Sequence, residues 1–197
     1  MILRKGEDMV KDVKSDQIYQ IKITLKNSQP PIWRRIQVRS NITLNMLHKI
    51  LQVVMPWEDY HLHQFIINET LFDIPEDGYD GFMKTEDERK YKLNQIIPGK
   101  KFRFIYEYDF GDSWEHILLV EKILPAEEKV YYPRCITGER ACPPEDIGGI
   151  FGYYRFLEIL KDPDHPEYEE MKDWVGEDFD PEKFDIEKVN RKLHKIK

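Results

Sequence analysis

The chain is 197 residues long, 41% hydrophobic and 34% charged, and its 30 basic and 37 acidic residues leave a net charge of −7. That composition lies in the globular range and excludes a disordered or fibrous chain. No apolar run approaches the ~18 residues a membrane span requires, so the chain is expected to be soluble and without a membrane partner.

A chain of this size buries roughly 70% of its unfolded surface, enough for one core without covalent staples. Residues 1–16 mix Lys, Asp and Glu and contain no apolar h-region. They read as a polar leader before a single domain over 17–197, and a reducing, cytoplasmic setting is expected. Cys135 and Cys142, with six residues between them, are then expected as thiols; their spacing is unlike the Cys-x-x-Cys of zinc knuckles. The negative charge opposes binding to a phosphate backbone and leaves only a local basic patch for nucleic acid.

Residues 18–25 alternate, with Tyr19, Ile21, Ile23 and Leu25 on one face and Gln20, Lys22 and Thr24 on the other, the pattern of a strand with one buried side. Pro30 and Pro31 end it, and residues 32–38 read as its hairpin partner. The period then changes: Leu44, Leu47, Leu51 and Val54 recur at helical spacing, with Thr43 as N-cap and Pro56 closing the helix. Residues 61–67 and 70–72 predict two further strands around a turn at Asn68 and Glu69, and the polar stretch 75–90 reads as a surface loop.

Phe102, Phe104, Tyr106 and Tyr108 share one face of a strand that turns at Phe110-Gly111-Asp112 and returns over 113–124. With that three-residue turn, Tyr108 opposes Trp114, Tyr106 opposes His116 and Phe104 opposes Leu118. A two-residue turn would instead set the aromatics against Glu115 and Ile117. Residues 125–149 carry four prolines and three glycines and show no period, so a long irregular segment is expected. Helical patterns follow over 151–160, with Tyr153, Phe156, Leu157 and Leu160 inward, then over 168–174, then through Ile186, Val189, Leu193 and Ile196. Between 162 and 187 stand twelve acids and two lysines, whereas 188–197 holds five bases, a polarity that suits the final helix. The predicted architecture is α+β: a single domain with a mainly antiparallel sheet, one early helix and a helical C-terminal part.

Four strings stand out: Ile32-Trp33-Arg34-Arg35; His61-Leu62-His63-Gln64-Phe65; Tyr106-Glu107-Tyr108-Asp109-Phe110-Gly111-Asp112-Ser113-Trp114-Glu115-His116; and Ala141-Cys142-Pro143-Pro144-Glu145-Asp146-Ile147-Gly148-Gly149, followed by Gly152-Tyr153. In this order they resemble the plasmid pRiA4b ORF-3-like family, from about residue 18 to the end. The resemblance implies a passenger-type protein of plasmids and mobile elements, and no particular activity. It departs at Ile147, where relatives often have a third cysteine, and this weakens any case that the cysteines bind metal here.

His61 and His63, at i and i+2 on a strand, project from one face about 6 to 7 Å apart, a spacing with which two imidazoles grip one divalent metal ion. Further ligands would come from His116, Asp109, Asp112 or the two thiolates; the alternative is that both histidines cap a sheet edge and bond nearby carboxylates. At the hairpin tip, Asp109 and Asp112 are expected to bond turn amides, Gly111 to take the left-handed position and Trp114 to pack across Tyr108. That leaves His116 among aromatics and Glu107 opposite Glu115, a like-charge pair that raises one carboxyl pKa or attracts a cation. In the proline string, Asp146 is a candidate helix cap and Gly148 and Gly149 permit close backbone approach; Glu145 and Asp146 would repel a phosphate there. Arg34 and Arg35 alternate sides of a strand, so at least one is expected to pair internally with an acid of the C-terminal part.

Three readings of function follow. The first is a small cytoplasmic binding or adaptor module whose polar pocket is lined by Asp109, Asp112, Trp114, His116, Glu145 and Asp146 beside the His61 and His63 strand. The second is a metal-dependent hydrolase or nuclease with His61, His63 and His116 as ligands and Asp112 as base. The third is a nucleic-acid partner using Trp33, Arg34, Arg35 and Arg39 as a platform.

Overall fold

The computed structural model describes residues 17–75, 85–176 and 178–196, so the polar leader lies outside it. Eight strands form one sheet in the order β5-β4-β3-β6-β7-β1-β2-β8. They are β1 (Gln17–Leu25), β2 (Trp33–Arg39), β3 (His63–Ile67), β4 (Thr70–Asp73), β5 (Thr85–Asp87), β6 (Arg103–Tyr108), β7 (Trp114–Pro125) and β8 (Arg134–Glu139). Every pairing is antiparallel except β4 with β5. The helices are α1 (Leu44–Val54), α2 (Leu93–Ile96), α3 (Gly149–Lys161), α4 (Tyr168–Val175) and α5 (Ile186–Leu193). Among the described residues no helix is long and apolar enough to cross a membrane.

The alternation of β1 places Tyr19, Ile21, Ile23 and Leu25 in the core, where α1 covers them with Leu44, Leu47, Ile50, Leu51 and Val54. Thr43 caps α1 as its spacing predicts, its hydroxyl accepting the Met46 amide at 3.2 Å. The β6–β7 hairpin has the register that the aromatic faces dictate: Tyr108 opposite Trp114, Tyr106 opposite His116, Phe104 opposite Leu118. At its tip the left-handed residues are Asp109 (φ 57°) and Ser113 (φ 53°) rather than Gly111. Asp109 meets that conformation by accepting the Gly111 and Asp112 amides on its own carboxylate, at 2.9 and 3.3 Å.

Three expectations change. The segment 125–149 contains β8, an edge strand on β2 that the flanking prolines conceal. The expected surface loop 75–90 lies partly outside the described residues, but its end forms β5 and a 3₁₀ turn, Glu88–Lys90, in which Glu88 is completely buried. On α3 the buried face is Tyr153, Phe156 and Ile159, with Leu157 and Leu160 only half-buried beside it.

Arg34 and Arg35 do point to opposite sides. Arg35 makes two bonds to Glu121, at 2.6 and 2.9 Å. Arg34 is fully buried and finds carbonyl oxygens of Val54, Trp33 and Glu139 rather than an acid, with its guanidinium 3.9 Å from the Phe184 ring centre. The side chain it meets in the C-terminal part is thus aromatic. Trp33 in turn donates to Glu139 at 3.1 Å, so the expected nucleic-acid platform is engaged in internal contacts.

Leu51, 1% exposed at the centre of the α1 face, tests this core. Leu51→Ala is expected to cost about 2–5 kcal/mol of unfolding free energy, measured by denaturant titration.

Candidate functional site

The site lies where the 57–62 segment, the tip of the β6–β7 hairpin and the 142–148 corner meet. Tyr108, last residue of β6, draws them together. Its phenol donates to Glu145 Oε1 and accepts the backbone amides of Tyr60 and His61, at 3.0 and 3.4 Å. Burial, and then the Glu145 carboxylate, push the phenol well above its ordinary pKa, so it stays a neutral donor. Trp57 stacks on Tyr108 at 5.0 Å and donates its indole N–H to the Pro143 carbonyl at 3.0 Å, and the Glu58 amide reaches Glu145 Oε2 at 3.1 Å. The chain direction is fixed from the other side by the Asp109 amide on the Leu62 carbonyl, 2.8 Å.

Asp146 was a candidate cap for α3, but Gly148 holds that position at φ 86°, and its amide goes to Asp112 Oδ2 at 3.0 Å. The cap therefore comes from the hairpin, and Asp112 is committed to it. Gly149 is needed for the same junction: a Cβ there would lie 2.6 Å from the Asp112 carbonyl oxygen. Relieved of capping, Asp146 sits at φ 58° with its carboxylate toward His61.

His61 Nε2 lies 3.2 Å from Asp146 Oδ1 and 3.7 Å from Asp109 Oδ2, yet it hydrogen-bonds neither. His61, Asp109 and Asp146 thus form an outer group whose donor atoms all fall within 4.8 Å of one another. Asp109 is 8% exposed, and the Asp146 side chain is 70% exposed. A hollow of about 360 Å³ between α3 and α4 begins at Asp146 and is floored by Ile147, Phe156, Ile159, Met171 and Trp174.

The two histidines read as neighbours on one strand face separate. Strand β3 begins only at His63, so His61 precedes it and turns toward Asp109, whereas His63 bonds Glu88 at 3.0 Å and stacks on His48. The inner group is His48, Asp59 and His63. His116 joins neither. It is completely buried, edge-on to Trp57 at 5.2 Å, with both ring nitrogens unpartnered, and Trp114 beside it is 2% exposed. These two side chains belong to the core, so the wall of the site is made by Asp109, Glu145 and Asp146. Glu107 and Glu115 do face each other, but Glu115 pairs with Lys26 while Glu107 accepts Gln64 and Ser113. Cys135 and Cys142 are buried free thiols outside both groups, and burial pushes Cys135 up to about 11.

Sequence reasoning missed His48, Asp59 and Glu88. His48 carried a signal, since it shares the Leu44 and Leu51 stripe of α1; Glu88, in a polar run, carried none. Asp59, Asp109 and Asp146 all occupy the left-handed region, at φ 63°, 57° and 58°.

A family model described as Plasmid pRiA4b ORF-3-like protein matches residues 17–188. The chain is similar to the uncharacterized protein y4hQ of Sinorhizobium fredii (strain NBRC 101917 / NGR234), 33% identical over 176 residues that cover 88% of this chain and 89% of that one. It is also similar to the crystal structure of a protein of unknown function, MM3350, from Methanosarcina mazei Go1, with TM-score 0.76 and 43% identity over 87% of this chain and 96% of that chain.

Burial drives the His116 pKa from 6.5 down to about 4. Between those values the unfolded chain holds a proton that the folded protein excludes, so stability is full above pH 6.5 and falls as pH drops toward 4. The loss from this residue is about 3 kcal/mol. His116→Phe is expected to remove that part of the pH dependence, read from denaturation midpoints of both proteins at pH 7 and 4.5.

Proposed function

The chain belongs to the plasmid pRiA4b ORF-3-like family, and for this member we propose a binding module that takes its ligand through a divalent ion held by His61, Asp109 and Asp146. The observation that carries this reading is the His61 Nε2 atom, enclosed, facing two carboxylates and hydrogen-bonded to neither. One imidazole nitrogen with two carboxylate oxygens is a donor set for Mn²⁺ or Zn²⁺. Asp109 is held by the tip amides and so presents its second oxygen without further ordering, which lowers the entropic cost of closing on an ion. The exposure of Asp146 leaves coordination positions for a ligand, and the adjoining hollow gives that ligand an apolar floor.

A cytoplasmic setting is part of the same proposal, supported by two buried thiols kept as free cysteines. The expected adaptor role rests on the site being an ion-bridged surface at the end of a sheet rather than an enclosed catalytic cleft.

Titration of the purified chain with Mn²⁺ and with Zn²⁺ in a calorimeter tests the reading. Saturable binding is expected, weakened by at least about 100-fold in His61→Ala and Asp146→Asn. Unchanged binding in both variants would overturn it.

A further inference from the structure

Behind the outer group lies a second one that the proposed function does not use. His48 on α1 and His63 at the start of β3 stand face to face, ring centres 3.5 Å apart and planes within 5° of parallel. His48 Nε2 is 2.8 Å from Asp59 Oδ1, and His63 Nε2 is 3.0 Å from Glu88 Oε2. Donor atoms of His48, Asp59 and His63 all lie within 4.8 Å of one another. Glu88 is 0% exposed and His48 2%, whereas the Asp59 side chain is 50% exposed.

Distances of this size fit two arrangements. One is a pair of hydrogen-bonded imidazole–carboxylate couples lying side by side. The other is a coordination sphere, because tetrahedral donor atoms bonded to one ion at ~2.0–2.2 Å sit about 3.3–3.6 Å apart, inside the 4.8 Å that encloses His48, Asp59 and His63. Charge favours the second. Two carboxylates are gathered here, one of them wholly enclosed, and a carboxylate removed from water needs a cation nearby.

The surroundings are arranged for ligation as well. Tyr106 Oη lies 2.8 Å from His48 Nδ1, Gln52 Nε2 donates to that phenol at 3.0 Å, and the Asn45 amide holds Glu88 Oε1 at 3.1 Å. If His48 ligates through Nε2, its Nδ1–H donates to Tyr106, whose own hydrogen then needs an acceptor. Gln52 Oε1, buried and without a partner, supplies one by a turn of the amide.

We infer that His48, Asp59 and His63 form an inner site for a single divalent transition ion, distinct from the outer group and independent of it, with Glu88 bonded to His63 Nε2 and orienting that ligand. Two nitrogens and a carboxylate select Zn²⁺ or its neighbours over Ca²⁺ and Mg²⁺. The three ligands come from α1, the 57–62 segment and β3, and the His63–Glu88 bond ties the Glu88–Lys90 turn to the same site. The half-exposed Asp59 is the side of entry.

The full chain, stripped with a chelator, is titrated with Zn²⁺, and with Co²⁺ as a visible reporter of imidazole–carboxylate ligation. Wild type is expected to bind an equivalent that survives His61→Ala and Asp146→Asn but is lost in His63→Gln and Asp59→Asn, with a Zn²⁺-dependent rise in Tm that follows the same division. Asp59, being half exposed, gives a variant that folds even where His63→Gln does not. If His63→Gln and Asp59→Asn bind Zn²⁺ like wild type, or if every equivalent disappears with His61→Ala, the inner site is overturned. If only the inner variants lose metal, the inner site stands and the outer reading falls.

Discussion

One phenolic oxygen holds the functional end of this protein together. Tyr108 sits at the last position of a central strand, and its hydroxyl serves a carboxylate from the 142–148 corner and two amides from the 57–62 segment at once. The two amides are neighbours in the chain, but they, Tyr108 and Glu145 come from three stretches far apart in sequence. Without that oxygen the two amides and the Glu145 carboxylate would each need water in a place walled by Trp57 and His61. Both histidine–carboxylate groups flank the segment so anchored, and their geometry follows from it.

Much of this was legible because the side chains that build the sheet also fix its register. The aromatic run of β6 agrees with its return strand in only one pairing, and that pairing brings Asp109 and Asp112 to the tip. The meeting of His61, Asp109 and Asp146 agrees with the expected pocket, in which the hairpin tip and the proline string line a hollow beside the His61 strand. The inner group was not legible, for a physical reason: Glu88 and Asp59 come from segments without periodicity, and their burial or orientation is imposed by tertiary contacts. Strand β8 was hidden differently. Its neighbour Arg34 crowds it so closely that a Cβ at Gly138 would lie 2.8 Å from Arg34 Cδ, and the glycine this demands weakens the local strand signal.

The core also carries more polar atoms than an apolar pattern would suggest. Arg34 is enclosed with one guanidinium nitrogen unpartnered, and His116 and Trp114 add further unpartnered nitrogens nearby in the fold. Arg34 is balanced by three carbonyl oxygens and the face of Phe184, a distribution of its charge over dipoles rather than a single counter-ion. The charge of Arg34 also contributes to depressing His116, which keeps that imidazole neutral inside the barrier between sheet and helices.

Asp59, Asp109 and Asp146 share a left-handed backbone. Among L-residues that conformation is comfortable mainly for asparagine and aspartate, and glycine accepts it freely. The shape of the chain and the charge of the site therefore ask for the same short side chain, and a glutamate, though equally acidic, would satisfy only one of the two demands. Asparagine or glycine at these three places would keep the backbone conformation and remove the charge. Descendants that take that route would keep the architecture intact while losing their negative groups one at a time, so the fold can outlive its chemistry.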